Sequence, residues 1–110
     1  MEFKKYFKGP FSSDGIYIWT SNNNMALMTL NDDELRLDLF CAILNNESDM
    51  NYPDAYYKDE IIYINGQPVL LVRGWGYLTS PSCCNLDNDK ACQIQDEFGE
   101  YVAHKLRNNK

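Results

Sequence analysis

One histidine, His104, and four cysteines, Cys41, Cys83, Cys84 and Cys92, are the residues of this chain best suited to nucleophilic or metal chemistry. A Cys-His or Ser-His-acid catalyst holds its histidine against the nucleophile, and no spacing here suggests that pairing. Cys83, Cys84, Cys92 and His104 would make a Cys₃His metal set. Adjacent ligands and a twelve-residue step to His104 do not follow structural-zinc spacing, and there is no C-x-x-C. Neither a metal nor a cofactor is expected. Cys41 lies in an apolar helical run and reads as a small core residue. Cys83-Cys84 read as thiols in a surface loop. Acids neighbour one another at Asp32-Asp33-Glu34, Asp59-Glu60 and Asp96-Glu97. Adjacent side chains on one element point in different directions, whereas acid–base catalysis needs carboxylates converging from separate elements. Gly74-x-Gly76 lacks the remainder of a dinucleotide fingerprint. The expectation is a non-enzyme.

Two segments point instead to recognition. Arg73-Gly74-Trp75-Gly76-Tyr77 joins the side chains that anchor interfaces to glycines that admit a backbone or a flat ring. Arg73, Trp75 and Tyr77 are therefore candidate ligand-binding residues. The competing reading puts Trp75 and Tyr77 in the core, and Trp19 carries the same ambiguity. The second segment, Glu47 to Asp59, is thirteen residues long, and loops of that length tend to be functional. It sets Tyr52, Tyr56 and Tyr57 among Asp49, Asp54 and Asp59, and tyrosine supplies contact area at low entropic cost. These six are the candidate partner-binding residues.

The charge distribution favours the second segment. The chain of 110 residues has net charge −6. Residues 31–60 carry nine acids against two bases, residues 1–30 are +1, and residues 61–110 balance. Such a field repels nucleic acid and speeds encounter with a basic protein surface. Solubility alone would also account for acids. Direct nucleic-acid binding is not expected. No apolar run approaches the roughly 20 residues that span a bilayer, and no apolar stretch of signal-peptide length follows Lys4, Lys5 and Lys8. A cytoplasmic location with reduced thiols is the expectation.

The elements that position these residues follow from local patterns. With 45% apolar and 24% charged residues, the composition is that of an ordinary globular chain, expected to form one domain over 1–110. Residues 1–11 form an N-terminal arm or strand packed by Phe3, Tyr6, Phe7 and Phe11. Gly15–Thr20 and Met25–Leu30 read as a hairpin across the Asn-rich turn at Ser21–Asn24. Asn31 caps a helix that starts with Asp32-Asp33-Glu34 and ends at Asn45-Asn46. Ile61–Ile64, Asn65-Gly66 and Gln67–Val72 form a two-residue type I′ hairpin. Its register pairs Ile64 with Gln67, Tyr63 with Pro68, Ile62 with Val69 and Ile61 with Leu70. Pro68 donates no hydrogen bond, so its far side is an edge or is paired only further along. Residues 73–81 extend the strand and then leave it. Asn85–Leu106, capped by Asn85 or Asp87, carries a stripe of Ala91, Ile94, Phe98, Tyr101, Val102 and Leu106. Gly99 within it implies close packing against another backbone, and residues 107–110 fray.

The order β-β-α-β-β-α predicts an α+β two-layer sandwich: an antiparallel sheet of about four strands with two helices on one face. The other face is left partly exposed, which invites a homodimer. The functional expectation is a small acidic protein-binding module, an inhibitor or regulator docking on a basic site of a partner protein. Small size, acidity and tyrosine content resemble in kind the accessory proteins with which phages and mobile elements block host proteins. The alternative is a small-molecule-binding module that uses Arg73 to Tyr77.

Overall fold

The computed structural model describes residues 2–30 and 34–108. A 3₁₀ turn, Glu2–Lys5, leads into β1 (Ser12–Ser13), β2 (Tyr17–Trp19), β3 (Met25–Thr29), α1 (Glu34–Leu44), β4 (Tyr56–Lys58), β5 (Ile61–Ile64), β6 (Gln67–Val72), α2 (Trp75–Thr79) and α3 (Asn88–Arg107). The strands form one antiparallel sheet in the order β1-β2-β3-β6-β5-β4. The α+β sandwich stands, with six strands rather than four.

Both extra strands are edges that local composition does not announce. β1 is two serines, aligned because the Asn45 amide clamps the neighbouring Phe11 backbone. Asn45 Oδ1 accepts from Phe11 N and its Nδ2 donates to Phe11 O, each at 2.7 Å. β4 lies inside the expected polar loop, so Glu47–Asp59 is not loop throughout. The N-terminal segment is the aromatic-packed arm, with Phe3 and Phe7 buried.

The Asn65-Gly66 turn has φ of 54° and 76°, as a type I′ hairpin requires. Ile64↔Gln67 and Tyr63↔Pro68 pair as expected. The next pairs are Ile62↔Leu70 and Ile61↔Leu71, so the expected Ile62–Val69 and Ile61–Leu70 pairs are off by one. Val69 is an extra residue that keeps both Val69 and Leu70 buried on the helix side. Ala26 does the same in β3, between Ile18↔Leu27 and Trp19↔Met25. β6 meets β3 only from Leu70 onward, beyond Pro68.

α1 buries Leu37, Phe40, Cys41, Ile43 and Leu44, and Asn46 ends it at φ 60°. The cap expected at Asn31 lies outside the described residues. α3 starts at Asn88, with the Asp87 carboxylate accepting from Lys90 N at 2.8 Å. Its stripe packs against β4, β5, α1 and the 3₁₀ turn. Residues 73–81 correct the expectation of a continuing strand: the chain turns into α2 at Trp75. A Cβ on Gly74 would overlap the buried ring of Phe7, so close packing sets the turn.

Candidate binding groove

The β2–β3 turn, the end of β6, α2 and the first half of α3 enclose an open cleft of about 880 Å³ at one end of the sheet. Each element brings chemistry to it. Arg73 leaves β6 exposed, and its backbone N–H donates to Ala26 O at 2.9 Å. Trp75 is 43% exposed, so the core reading fails for it. Its indole N–H donates to Asn88 Oδ1 at 3.0 Å, which holds the ring across the α2–α3 junction. The half-buried Tyr77 hydroxyl accepts from Asn22 Nδ2 at 2.9 Å. Burial, with a hydrogen bond to Cys84, pushes its phenol above the ordinary range. Trp19 completes the aromatic wall, its N–H donating to Asp14 Oδ2 at 2.9 Å.

Two buried amides also stand in this wall. Asn24 is 8% exposed and Gln95 3% exposed. Asn24 Nδ2 and Gln95 Oε1 have no hydrogen-bond partner in the protein. A buried group left unpaired costs about 1–3 kcal/mol, so such groups call for an explanation where they occur.

A second hollow of about 550 Å³ adjoins the first and shares Glu60, Cys92 and Gln95 with it. Its walls are acidic: Asp59 and Glu60 from the β4–β5 turn, Asp96 and Glu100 from α3. The turn places Asp59 at φ 49° and Glu60 at φ 71°, a left-handed pair with neither glycine nor asparagine. Glu60 Oε1 accepts from Gln95 Nε2 at 3.0 Å. The Tyr57 hydroxyl donates to Asp96 Oδ1 at 2.8 Å. Burial, then the Asp96 carboxylate, raises Tyr57 far above the usual phenol range, so it stays a donor. With Lys58 and Arg73 as the bases, the two hollows form one groove, aromatic at one end and acidic at the other.

The six candidate partner-binding residues do not share a site. Tyr57 and Asp59 line the acidic half. Tyr52 packs edge-on against Phe40 of α1, beneath the Arg36 guanidinium, and its N–H donates to Leu106 O. Arg107 binds Ala55 O at 2.8 Å. Asp49 and Asp54 are thus exposed near the C-terminal end of α3, at the far end of β4 from Asp59. Tyr56 stacks on Tyr63 at 4.9 Å and turns away from the helices. Of the alternative set, Arg73, Trp75 and Tyr77 do converge in the cleft. Sequence reasoning missed Asn24, Glu60, Gln95, Asp96 and Glu100 as site residues. The acids on α3 were legible only as a solvated helix face.

His104 is exposed in the last turn of α3. Among the described residues no group of three or more His, Cys, Asp or Glu is placed to hold a metal. No helix there is long and apolar enough to cross a membrane. Cys83 and Cys92 are exposed on the groove, while Cys41 is buried. Burial, with Asp38 and Glu47 nearby, pushes the Cys41 thiol up to about 11. Since the thiolate is the reactive form, iodoacetamide should label Cys83 and Cys92 first, Cys84 more slowly, and Cys41 only after unfolding. Peptide mapping by mass spectrometry checks the order, and rapid native labelling of Cys41 would contradict it. Searches of protein families, curated proteins and solved structures return no match.

Proposed function

We propose that this chain is a non-enzymatic protein-binding module, an inhibitor or regulator, that takes a cationic segment of a partner into the groove beside α3. The observation that carries it is Gln95: a buried side chain common to both hollows, with an unpaired acceptor beside four carboxylates. Lysine and arginine are donors without acceptor capacity, so their head groups suit that acceptor and those acids. The indoles of Trp19 and Trp75 offer faces for cation–π contact or for an apolar neighbour. The negative field of the chain would steer such a segment in. Free thiols suit a reducing compartment such as the cytoplasm.

Asp59→Asn with Glu100→Gln removes two groove charges. Both side chains are exposed, and Asn tolerates the left-handed backbone at 59. Random 12-residue peptides displayed on phage and selected on the protein should enrich sequences combining Lys or Arg with an aromatic residue. The selected peptides should then associate roughly fivefold more slowly with the double variant at low salt, with a flatter salt dependence. Asp49→Asn with Asp54→Asn should leave them unaffected. No enrichment, enrichment of acidic peptides, or indifference to Asp59→Asn/Glu100→Gln would overturn the proposal.

The second reading, a small-molecule binder, has one observation of its own: Arg73, Trp75 and Tyr77 converge with Trp19 on a single cleft. Quenching of tryptophan fluorescence by a panel of anionic aromatic metabolites would favour it over the peptide reading. A silent panel would reject it.

A further inference from the structure

The sheet has a second face that none of the described helices covers, and its composition departs from the rest of the chain. Paired strand residues share a face, so the register identifies its members. One row crosses the sheet: Tyr17↔Met28, Met28↔Leu71, Leu71↔Ile61 and Ile61↔Lys58. Asp14 extends the row beyond Tyr17, its N–H donating to Tyr17 O at 3.1 Å. Trp19 with Met25 flanks the row on one side, and Tyr63 with Tyr56 and Pro68 on the other. The bulges at Ala26 and Val69 turn those two residues to the helix side, so the alternation survives on both faces. The members of the row between its ends are half-buried, and Tyr56 is 42% exposed. The chain has sixteen acids, yet none of its strand residues is acidic. An apolar, aromatic surface of this kind marks an interaction site.

We propose that this face is covered by a second copy of the same chain, packed about a two-fold axis parallel to the strands. The argument is charge complementarity along the row. Its midpoint falls between Met28 on β3 and Leu71 on β6, the two central strands. A two-fold through that point, along the strands, lays β1 over β4, β2 over β5 and β3 over β6 of the other copy. Met28 then meets Leu71, Tyr17 meets Ile61, and Asp14 at one end meets Lys58 at the other, twice by symmetry. The face is self-complementary in apolar contact and in charge, as an isologous interface requires. Aligned packing of twisted sheets is an ordinary geometry for two such faces. The strand residues that form the contact include no acid, so the repulsion of two chains at −6 is not concentrated there. Trp19, Met25 and Leu71 of this face also line the aromatic half of the groove, and Lys58 its acidic half; the proposal does not require that the groove be occupied.

Sedimentation equilibrium over the micromolar range should give twice the 12.8 kDa chain mass. Leu71→Lys, which sets a charge at the centre of the face, should yield a single-chain mass. Lys58→Glu, which faces Asp14 of the other copy with a like charge, should weaken dimerisation roughly tenfold. Asp14 itself is left in place, because its carboxylate also binds Trp19 and the Ile16 and Tyr17 amides. The wild-type chain supplies a test that needs no variant. Asp14 and Lys58 lie five strand spacings apart within one chain, about 24 Å, beyond a zero-length cross-link. Carbodiimide treatment of mixed isotopically heavy and light chains should therefore join Asp14 to Lys58 in heavy–light pairs. A single-chain mass for the wild type would overturn the proposal and leave the face to a different protein. A dimer that survives both substitutions would overturn it, and so would an absent Asp14–Lys58 cross-link.

Discussion

Phe98→Ala should cost about 3–5 kcal/mol of folding stability, the range for removing a buried aromatic side chain. A domain of this size has roughly 5–15 kcal/mol in all, so the variant should be near or past its unfolding threshold at physiological temperature. Phe98 is fully buried on α3. Phe7 stacks on it with centroids 4.3 Å apart, and Phe3 and Phe11 stand at 5.8 and 6.3 Å. The ring thus joins the longest helix to three aromatics of the first eleven residues, and its loss removes the surface against which that arm packs. Phe98→Leu, which keeps much of the volume, should cost under about 1.5 kcal/mol. Thermal denaturation followed by circular dichroism measures both. Limited proteolysis should show cleavage after Lys4, Lys5 or Lys8 appearing in Phe98→Ala before the remainder of the chain is cut. A midpoint for Phe98→Ala within a few degrees of wild type would show that the arm and α3 fold independently of this ring.

Where the sequence was legible, a residue carried its own backbone preference. Asn65-Gly66 admits a left-handed pair, so the hairpin and its first two pairs could be read directly. Asp87 caps α3 because a carboxylate there meets an unpaired N–H of the first turn. Where it was illegible, contacts made far along the chain decided. Val69 has the same apolar character as Val72, and nothing local says that it is the extra residue. Trp75 and Tyr77 favour strands by type, yet the chain turns helical at Trp75, just after a Gly74 whose missing Cβ lets the ring of Phe7, 67 residues earlier, pack against it. Asp59 and Glu60 make a left-handed turn without glycine or asparagine, and Glu60 is a side chain that rarely adopts one, so no turn signal closes β4 before Ile61 and the loop reads as longer than it is. The groove draws on the β2–β3 turn, the β4–β5 turn, β6, α2 and α3. The segment Arg73–Tyr77 could be singled out because its residues are contiguous. Gln95 could not, because its significance lies in an unpaired oxygen beside Glu60.

Gly99→Ala should destabilise the chain by about 1–2 kcal/mol, although alanine is by about 1 kcal/mol the better helix former. A Cβ at this position would overlap the Tyr57 ring, with Cζ at 2.6 Å. The ring cannot swing aside cheaply: it is half-buried between β4 and α3, and its hydroxyl binds Asp96. Overpacking of this kind typically costs 1–3 kcal/mol, more than the helix propensity returns. The glycine expected from sequence to admit a close neighbour does so, but the neighbour is a side chain rather than a backbone. Replacing Tyr57 with leucine in the Gly99→Ala background should recover stability, giving a coupling of at least about 1 kcal/mol in a double-mutant cycle. The effect also reaches the groove. A displaced Tyr57 loses Asp96 and unpins β4, the edge that carries Asp59, so amide exchange at Tyr57 and Lys58 should quicken in Gly99→Ala. The cationic peptides selected on the wild type should bind it more weakly, even with all four carboxylates present. A Gly99→Ala variant as stable as wild type would mean that β4 yields without cost, and the acidic wall would then be a mobile edge rather than a preformed one.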